Sequence, residues 1–348
     1  MAEAQGLIQE QARFLGQPTE ALRSLRGEAL YESLQGLGLT HRHYFRALDC
    51  SLESYCAQEF GVDLERITVE RFFQSSPDAK WLFPDMVRES VLTGLRRRPI
   101  YPELIAGDER IEGAVYSLPH VVEDEDEESL RTVAEGGAIP ESNITYGDRV
   151  VRLDKRGRGV LASYEVVRRM SVDMLRVHLE RIGERLGRDL DVRVVEVLNA
   201  GDGSPGSAPT VIDSTALGSW QYDDLIRGYL HLMQQHYFTP SHFVVSRPTA
   251  ETLLGLPEIK DATQFEFSRT GSFPRPLGMR MVVSDVHPDV QMTVLDARYA
   301  VQKVTEQELM VESDKLIHQQ WDRTYLSIVT DYAVLYEKAR VVLDNNWS

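Results

Sequence analysis

Cysteine is scarce in this 348-residue chain: there are two, Cys50 and Cys56, six positions apart. That excludes a disulfide-stapled secreted scaffold, and both read as reduced thiols of a cytosolic chain. Long apolar runs are missing as well, since none approaches the ~18–20 residues a membrane span requires. The opening MAEAQGLIQEQARFLG has neither the basic start nor the apolar stretch of a secretory signal. Positive charge is in short supply too: 38 Lys and Arg stand against 54 Asp and Glu, for a net charge of −16. Gripping phosphates across a whole surface takes clustered cations, so a general nucleic-acid binder is excluded. The balance suits a soluble subunit or a container wall that does not adhere to its contents.

Catalytic signatures are absent. The chain contains no GxSxG, HExxH, Walker A sequence or EF-hand loop. GDGSPG at 201–206 has the composition of a phosphate cradle, but it follows a helical pattern and opens a loop. A nucleotide loop follows a strand and opens a helix, so this segment reads as a turn. His41 and His43 form an HxH pair with no third ligand at a metal-binding spacing. Neither cysteine has a neighbour that would lower its thiol pKa. No cofactor, no metal site and no enzymatic activity are expected.

What is present is a normal globular fraction of hydrophobic residues, 42%, over a length that suggests about two domains. Thr19 can cap a helix with Leu22, Leu25, Ala29 and Leu34 near one face, ending at Gly36–Gly38. A second amphipathic piece runs from about Leu48 to Phe60. This polar region reads as an arm that packs on something else. A helix over 81–98 stops at Pro99 and Pro102. Next, 113–122 and 144–161 read as two strands of a long excursion with a polar tip, the basic KRGRG at 155–159 being flexible. A lone hairpin is marginal in water, so it must lie against a neighbour.

The clearest element follows. Leu175, Leu179, Ile182, Leu186, Leu190, Val194 and Val197 recur at three- and four-residue steps, with Ser171 as cap and Gly201 as stop. That makes about 27 residues, or roughly 40 Å, a strut more than a compact-domain helix. Helices then alternate with strands: helix at 223–235, strand at 242–245, helix at 248–256, a Gly/Pro loop at 271–276, and strands at 279–284, 292–296, 324–332 and 334–343. Two charge runs stand out. Glu123, Asp124, Glu125, Asp126, Glu127 and Glu128 read as a solvated loop, and Arg96, Arg97 and Arg98 as a subunit contact. The two runs are complementary and could meet across an interface.

The ordered landmarks resemble a known family. TVAEGGAIPESNITYGDRVVRLDKRGRGVLASYEVVRRM (132–170), the helix at 171–199 ending in LNAGDG, HFVVSRPTAETLLGL (242–256), PLGMRMVVSD (276–285), VLDARYAVQKV (294–304) and TYLSIVTDYAVLYEKARVVL (324–343) are together similar to tailed-phage major capsid proteins with the Hong Kong phage fold. The resemblance covers about 110–345 and rests on order and spacing. It implies an α+β fold with an N-terminal helical arm (1–80) and the start of a peripheral domain (81–110). An extended β-hairpin loop (111–162), a spine helix (163–200), an axial domain (201–300) and return strands of the peripheral domain (301–348) would follow. It further implies hexamers and pentamers closing into an icosahedral shell around double-stranded DNA, held without sequence-specific binding. Portal, scaffold and decoration proteins would be partners, with no membrane involved and assembly in the host cytoplasm into a virion capsid.

Expected inter-subunit positions are Arg96, Arg97, Arg98, the acids 123–128, Glu135, Gly136, Gly137, Pro140, Glu141, Lys155, Arg156 and Arg158. Some family members join neighbours through an extended-loop lysine and a peripheral-domain asparagine. Here 111–147 has no lysine, the nearest being Lys155, so no such crosslink is expected. An uncleaved arm is also expected. The alternatives are an encapsulin nanocompartment shell, an α/β enzyme with its site near 198–206, and a tail or neck protein.

Overall fold

The computed structural model describes residues 27–36, 50–61, 79–121, 144–235, 237–259, 275–316 and 321–347, together with 25, 44, 45, 63, 67–69, 71, 132 and 133. In chain order, helices α1 (Gly27–Gly36), α2 (Leu52–Phe60), α3 (Ala79–Leu95) and α4 (Tyr101–Leu104) precede strands β1 (Asp108–Arg110), β2 (Val115–Val121), β3 (Ile144–Arg152) and β4 (Lys155–Ser163). Then come α5 (Tyr164–Arg169), α6 (Val172–Ala200), β5 (Thr210–Asp213), α7 (Tyr222–Leu230), β6 (His242–Val245), α8 (Arg247–Gly255), β7 (Arg280–Val283), β8 (Gln291–Leu295), β9 (Val301–Leu316), β10 (Trp321–Val334) and β11 (Arg340–Asp344). The class is α+β, as the pattern of elements predicts.

The chain divides into two units. The first comprises Met1–Arg98, Gly157–Gly187 and Leu309–Ile328; the second comprises Pro99–Arg156, Arg188–Glu308 and Val329–Ser348.

In the first unit, α2 is held by a reciprocal Ser51–Ser54 cap and stops at Gly61, whose φ of 63° suits a residue without a side chain. The first half of α6 crosses α3 over Val87, Val91, Leu179, Leu309 and Leu326. The crossing is backbone against backbone. A Cβ on Gly183 would lie 2.0 Å from the Val91 carbonyl oxygen, and one on Gly94 would lie 1.9 Å from that of Glu180. The Ser171 hydroxyl accepts the Met174 N–H at 3.2 Å, so the helix starts where its cap residue predicts.

In the second unit, five strands form a sheet in the order β5-β11-β8-β6-β7, with both parallel and antiparallel pairs. One core joins Val194, Val195, Val197 and Leu198 of α6 to Val244, Val282, Leu295 and Tyr332. Another joins Leu225 and Leu232 to Phe243, Met292, Val294 and Leu343. Gly228 brings α7 close to this sheet, since a Cβ there would meet Leu343 and Val294 at 2.9 and 3.0 Å. Strands β2 and β3 form a separate antiparallel ribbon from Val115↔Arg152 to Val121↔Ile144. Its apolar face sets Tyr116, Leu118, Val151 and Leu153 against Val304, Val329 and Ala333.

Three expectations need correction. The basic stretch 155–159 is not a flexible tip of the excursion: it opens β4, a strand of the sheet β1-β9-β10-β4. Two glycines permit this, for a Cβ on Gly157 would stand 2.9 Å from the Leu326 carbonyl oxygen and one on Gly159 2.9 Å from the Tyr325 ring. The extended hairpin therefore ends at Arg152, short of 162. Val334–Leu343 is likewise not one strand. A 3₁₀ turn at Glu337–Ala339 interrupts it, and β11 pairs with β5 and β8, strands of the segment expected to form the axial domain. Finally, β9 runs for 16 residues, far beyond the strand expected around Val301. The segment assigned to helix α1 before residue 25, the HxH pair and the loop at 271–274 lie outside the described residues.

Candidate assembly surfaces and the joint behind them

The proposed contact residues fall into three groups. Arg96, Arg97 and Arg98 follow the end of α3 and are exposed. Arg97 donates to Glu184 at 2.7 Å, and Arg181 bonds the same carboxylate. The Arg181 hydrogen bond, aided by Arg97, holds Glu184 below the usual carboxylate range. Lys155, Arg156 and Arg158 lie on β4, where Lys155 and Arg158 are exposed and Arg156 donates to the Asp189 carbonyl at 3.3 Å. The acids 123–128, with Glu135, Gly136, Gly137, Pro140 and Glu141, lie outside the described residues.

The structure adds a joint that sequence reasoning missed. The turn GDGSPG ends α6 with positive φ at Gly201, Gly203 and Gly206, and two buried arginines clamp it. Arg149, from β3, donates to the Gly206 carbonyl at 3.1 Å and to Glu337 at 2.8 Å. Arg340, fully buried at the start of β11, donates to the Leu198 carbonyl at 2.9 Å and to that of Ser207. Burial lowers the Arg340 guanidinium to about 10, with Asp202 and Glu337 opposing the shift. Asp202 accepts from the Ser204 N–H and hydroxyl and, at 2.8 Å, from the Val334 N–H. Burial raises the Asp202 carboxyl, and those hydrogen bonds outweigh it, leaving it below its ordinary value. One turn thus ties together the ends of the ribbon, the strut helix and the last strand. The signal in the sequence is slight: an arginine opening the apolar RVVL, a residue type seldom fully buried.

Two further anchors hold the strut. Arg193 grips Asp331 with two bonds at 2.8 and 3.2 Å. A single oxygen of Asp191 accepts the Ile100 and Tyr101 N–H groups at 3.0 and 2.8 Å. Burial raises the Asp191 carboxyl to about 6 against the pull of those bonds, and nearby Asp285 adds to the rise. These groups all face main-chain atoms or each other, an arrangement that fixes chain geometry. The GDGSPG segment is a structural turn, as its context predicts. Among the described residues, no group of His, Cys, Asp or Glu could hold a metal ion, and no helix is long and apolar enough to cross a membrane.

A two-stranded ribbon, a long strut helix and a mixed sheet closed by the last strand define a shell-subunit fold, and solved structures share it. A virus-like particle from Pyrococcus furiosus matches with a TM-score of 0.53 at 13% identity, covering 75% of this chain and 99% of its own. The capsid of Cyanophage P-SCSP1u matches with a TM-score of 0.53 at 16% identity, covering 72% and 88%. Mycobacterium phage Che8 matches with a TM-score of 0.50 at 17% identity, covering 72% and 93%. No curated protein sequence matches the chain. The family model described as phage capsid protein matches residues 146–342, from within β3 to within β11. The chain belongs to the phage capsid protein family.

Proposed function

We propose that this chain is the major capsid protein of a tailed bacteriophage, whose copies assemble through hexamers and pentamers into an icosahedral shell around double-stranded DNA. The family match over 146–342 carries the reading, because it takes in the strut helix, the five-stranded sheet and the joint between them. It also favours a phage shell over an encapsulin compartment. The role is structural and not enzymatic. The net charge of −16 suits a wall that confines DNA without adhering to it. Residues 1–80 act as an arm, and the connector between β2 and β3 reaches a neighbouring subunit. Portal, scaffold and decoration proteins are the expected partners, and assembly takes place in the host cytoplasm. The test is to express the full chain, alone and with a scaffold gene, and image the soluble fraction by negative-stain electron microscopy. Closed shells or rings of five and six are expected. A monomer under both conditions overturns the reading.

A further inference from the structure

The strand order leaves β4 at the free end of its four-stranded sheet, with unpaired main-chain groups along one side. Its first four residues carry three cations, Lys155, Arg156 and Arg158. Lys155 and Arg158 are exposed and have no ion partner among the described residues. In a chain of net charge −16, three cations on an open edge are an unbalanced surface. The densest complementary charge in the same sequence is the run Glu123–Glu128.

We propose that the β4 edge receives the acidic run Glu123–Glu128 of a second copy of this chain; the inference rests on the shell-subunit reading. Reach argues for a second copy. The ribbon ends at Val121↔Ile144 and is rooted at Val115↔Arg152, next to Lys155. Eight steps along β3 at ~3.3 Å put its end about 26 Å from its root. Counting from Val121, Glu123 is two residues on and Glu125 four, so at full extension they reach ~7 and ~14 Å. The first half of the run thus stays more than ~10 Å short of the root. A connector that must also return to Ile144 cannot lay six carboxylates along Lys155–Arg158 of its own copy. Arg97 is a poorer receptor, since Glu184 already engages it.

The experiment uses assembled particles of the full chain, treated with a water-soluble carbodiimide that joins lysine to carboxylate in contact. Denaturing electrophoresis then separates links between copies from links within one. We expect dimers and higher multimers whose linked peptide joins Lys155 to the 123–128 segment, and Lys155→Arg should abolish that peptide. Particles lacking it, or showing it in the monomer band, overturn the pairing and leave the shell reading standing. In parallel, Lys155→Glu/Arg158→Glu should raise the protein concentration needed for assembly about ten-fold, the factor expected from two exposed ion pairs. Lysines in place of the six acids should restore it in that background. Assembly at an unchanged threshold, with loss of retained DNA alone, would place nucleic acid on this edge and overturn the proposal. A chain that never assembles overturns both readings.

Discussion

The crossing of α3 and α6 offers a graded test of how tightly the strut is held. A Cβ on Gly183 would sit 2.0 Å from the Val91 carbonyl oxygen and 2.9 Å from the Leu95 nitrogen, both backbone atoms that no rotamer change can move aside. Reaching an ordinary contact of at least 3.0 Å would part the helices by about 1 Å, a gap that forfeits a quarter to a half of the facing contact energy. Val87, Val91 and Leu179 would lose packing together. Overpacking of this kind costs about 1–3 kcal/mol, and backbone-to-backbone contact belongs at the upper end. Replacing a helical glycine by alanine returns about 1 kcal/mol. Gly183→Ala should therefore destabilise the chain by about 2 kcal/mol.

Gly187 is milder, with a Cβ 3.2 Å from the Leu95 oxygen, so Gly187→Ala should be near neutral. Gly255, at the end of α8, has nothing within 4 Å, and Gly255→Ala should stabilise by about 0.5 kcal/mol. Urea denaturation of the soluble chain, followed by circular dichroism, would measure all three, with particle yield as a second readout. If Gly183→Ala melts with the wild type, or Gly255→Ala is equally damaging, the close-crossing argument fails.

Asp191 and His287 should pull the pH dependence of stability in opposite directions. The Asp191 carboxyl, raised by burial to about 6, binds its proton in the folded chain between pH ~4 and ~6 while the unfolded chain does not, so its contribution to stability falls as pH rises through that window. That displacement corresponds to about 3 kcal/mol, and residual solvent screening leaves about 1 kcal/mol as the realistic gain for Asp191→Asn at pH 7.5. One amide oxygen can still accept both N–H groups; a melt at pH 7.5 that falls below wild type would contradict the assignment. His287, held neutral by burial down to about 4 and bonded to Thr293 at 2.9 Å, leaves the unfolded chain with the extra proton between pH 4 and 6.5. Its contribution is therefore lost as pH falls through that range, and His287→Gln should flatten the acid limb of a stability–pH curve. Arg340→Leu strands the buried Leu198 and Ser207 carbonyls and should cost about 3 kcal/mol in the same urea assay, more than Arg149→Leu at the half-open end of the clamp. Without chemical treatment, mature particles should run as 39.5 kDa monomers on a denaturing gel, since 111–147 holds no lysine; a covalent ladder would refute this.

What was legible in the sequence is what local chemistry decides. The strut announces itself through apolar residues at three- and four-residue steps, its Ser171 cap and its Gly201 stop, and α6 spans Val172–Ala200 accordingly. The turn after it, HFVV and the helix behind Ser246 follow from glycine, β-branched and capping residues acting within a few positions. The family resemblance added the order of these parts, which no single motif supplied.

Pairing across long separations lay beyond that reading. KRGRG looked like a flexible tip because glycine and charge usually mark loops. Only the close approach of Leu326 and Tyr325, some 170 residues away, makes Gly157 and Gly159 strand residues. The clamp on the 201–207 turn was hidden for the same reason: Arg149 and Arg340 are ordinary in their local sequence and gain meaning from carbonyls brought to them by α6. Periodicity and capping act through neighbours in the chain, so sequence determines them. Sheet partners and buried ion pairs depend on which distant segments share a core, so the tertiary structure alone decides them.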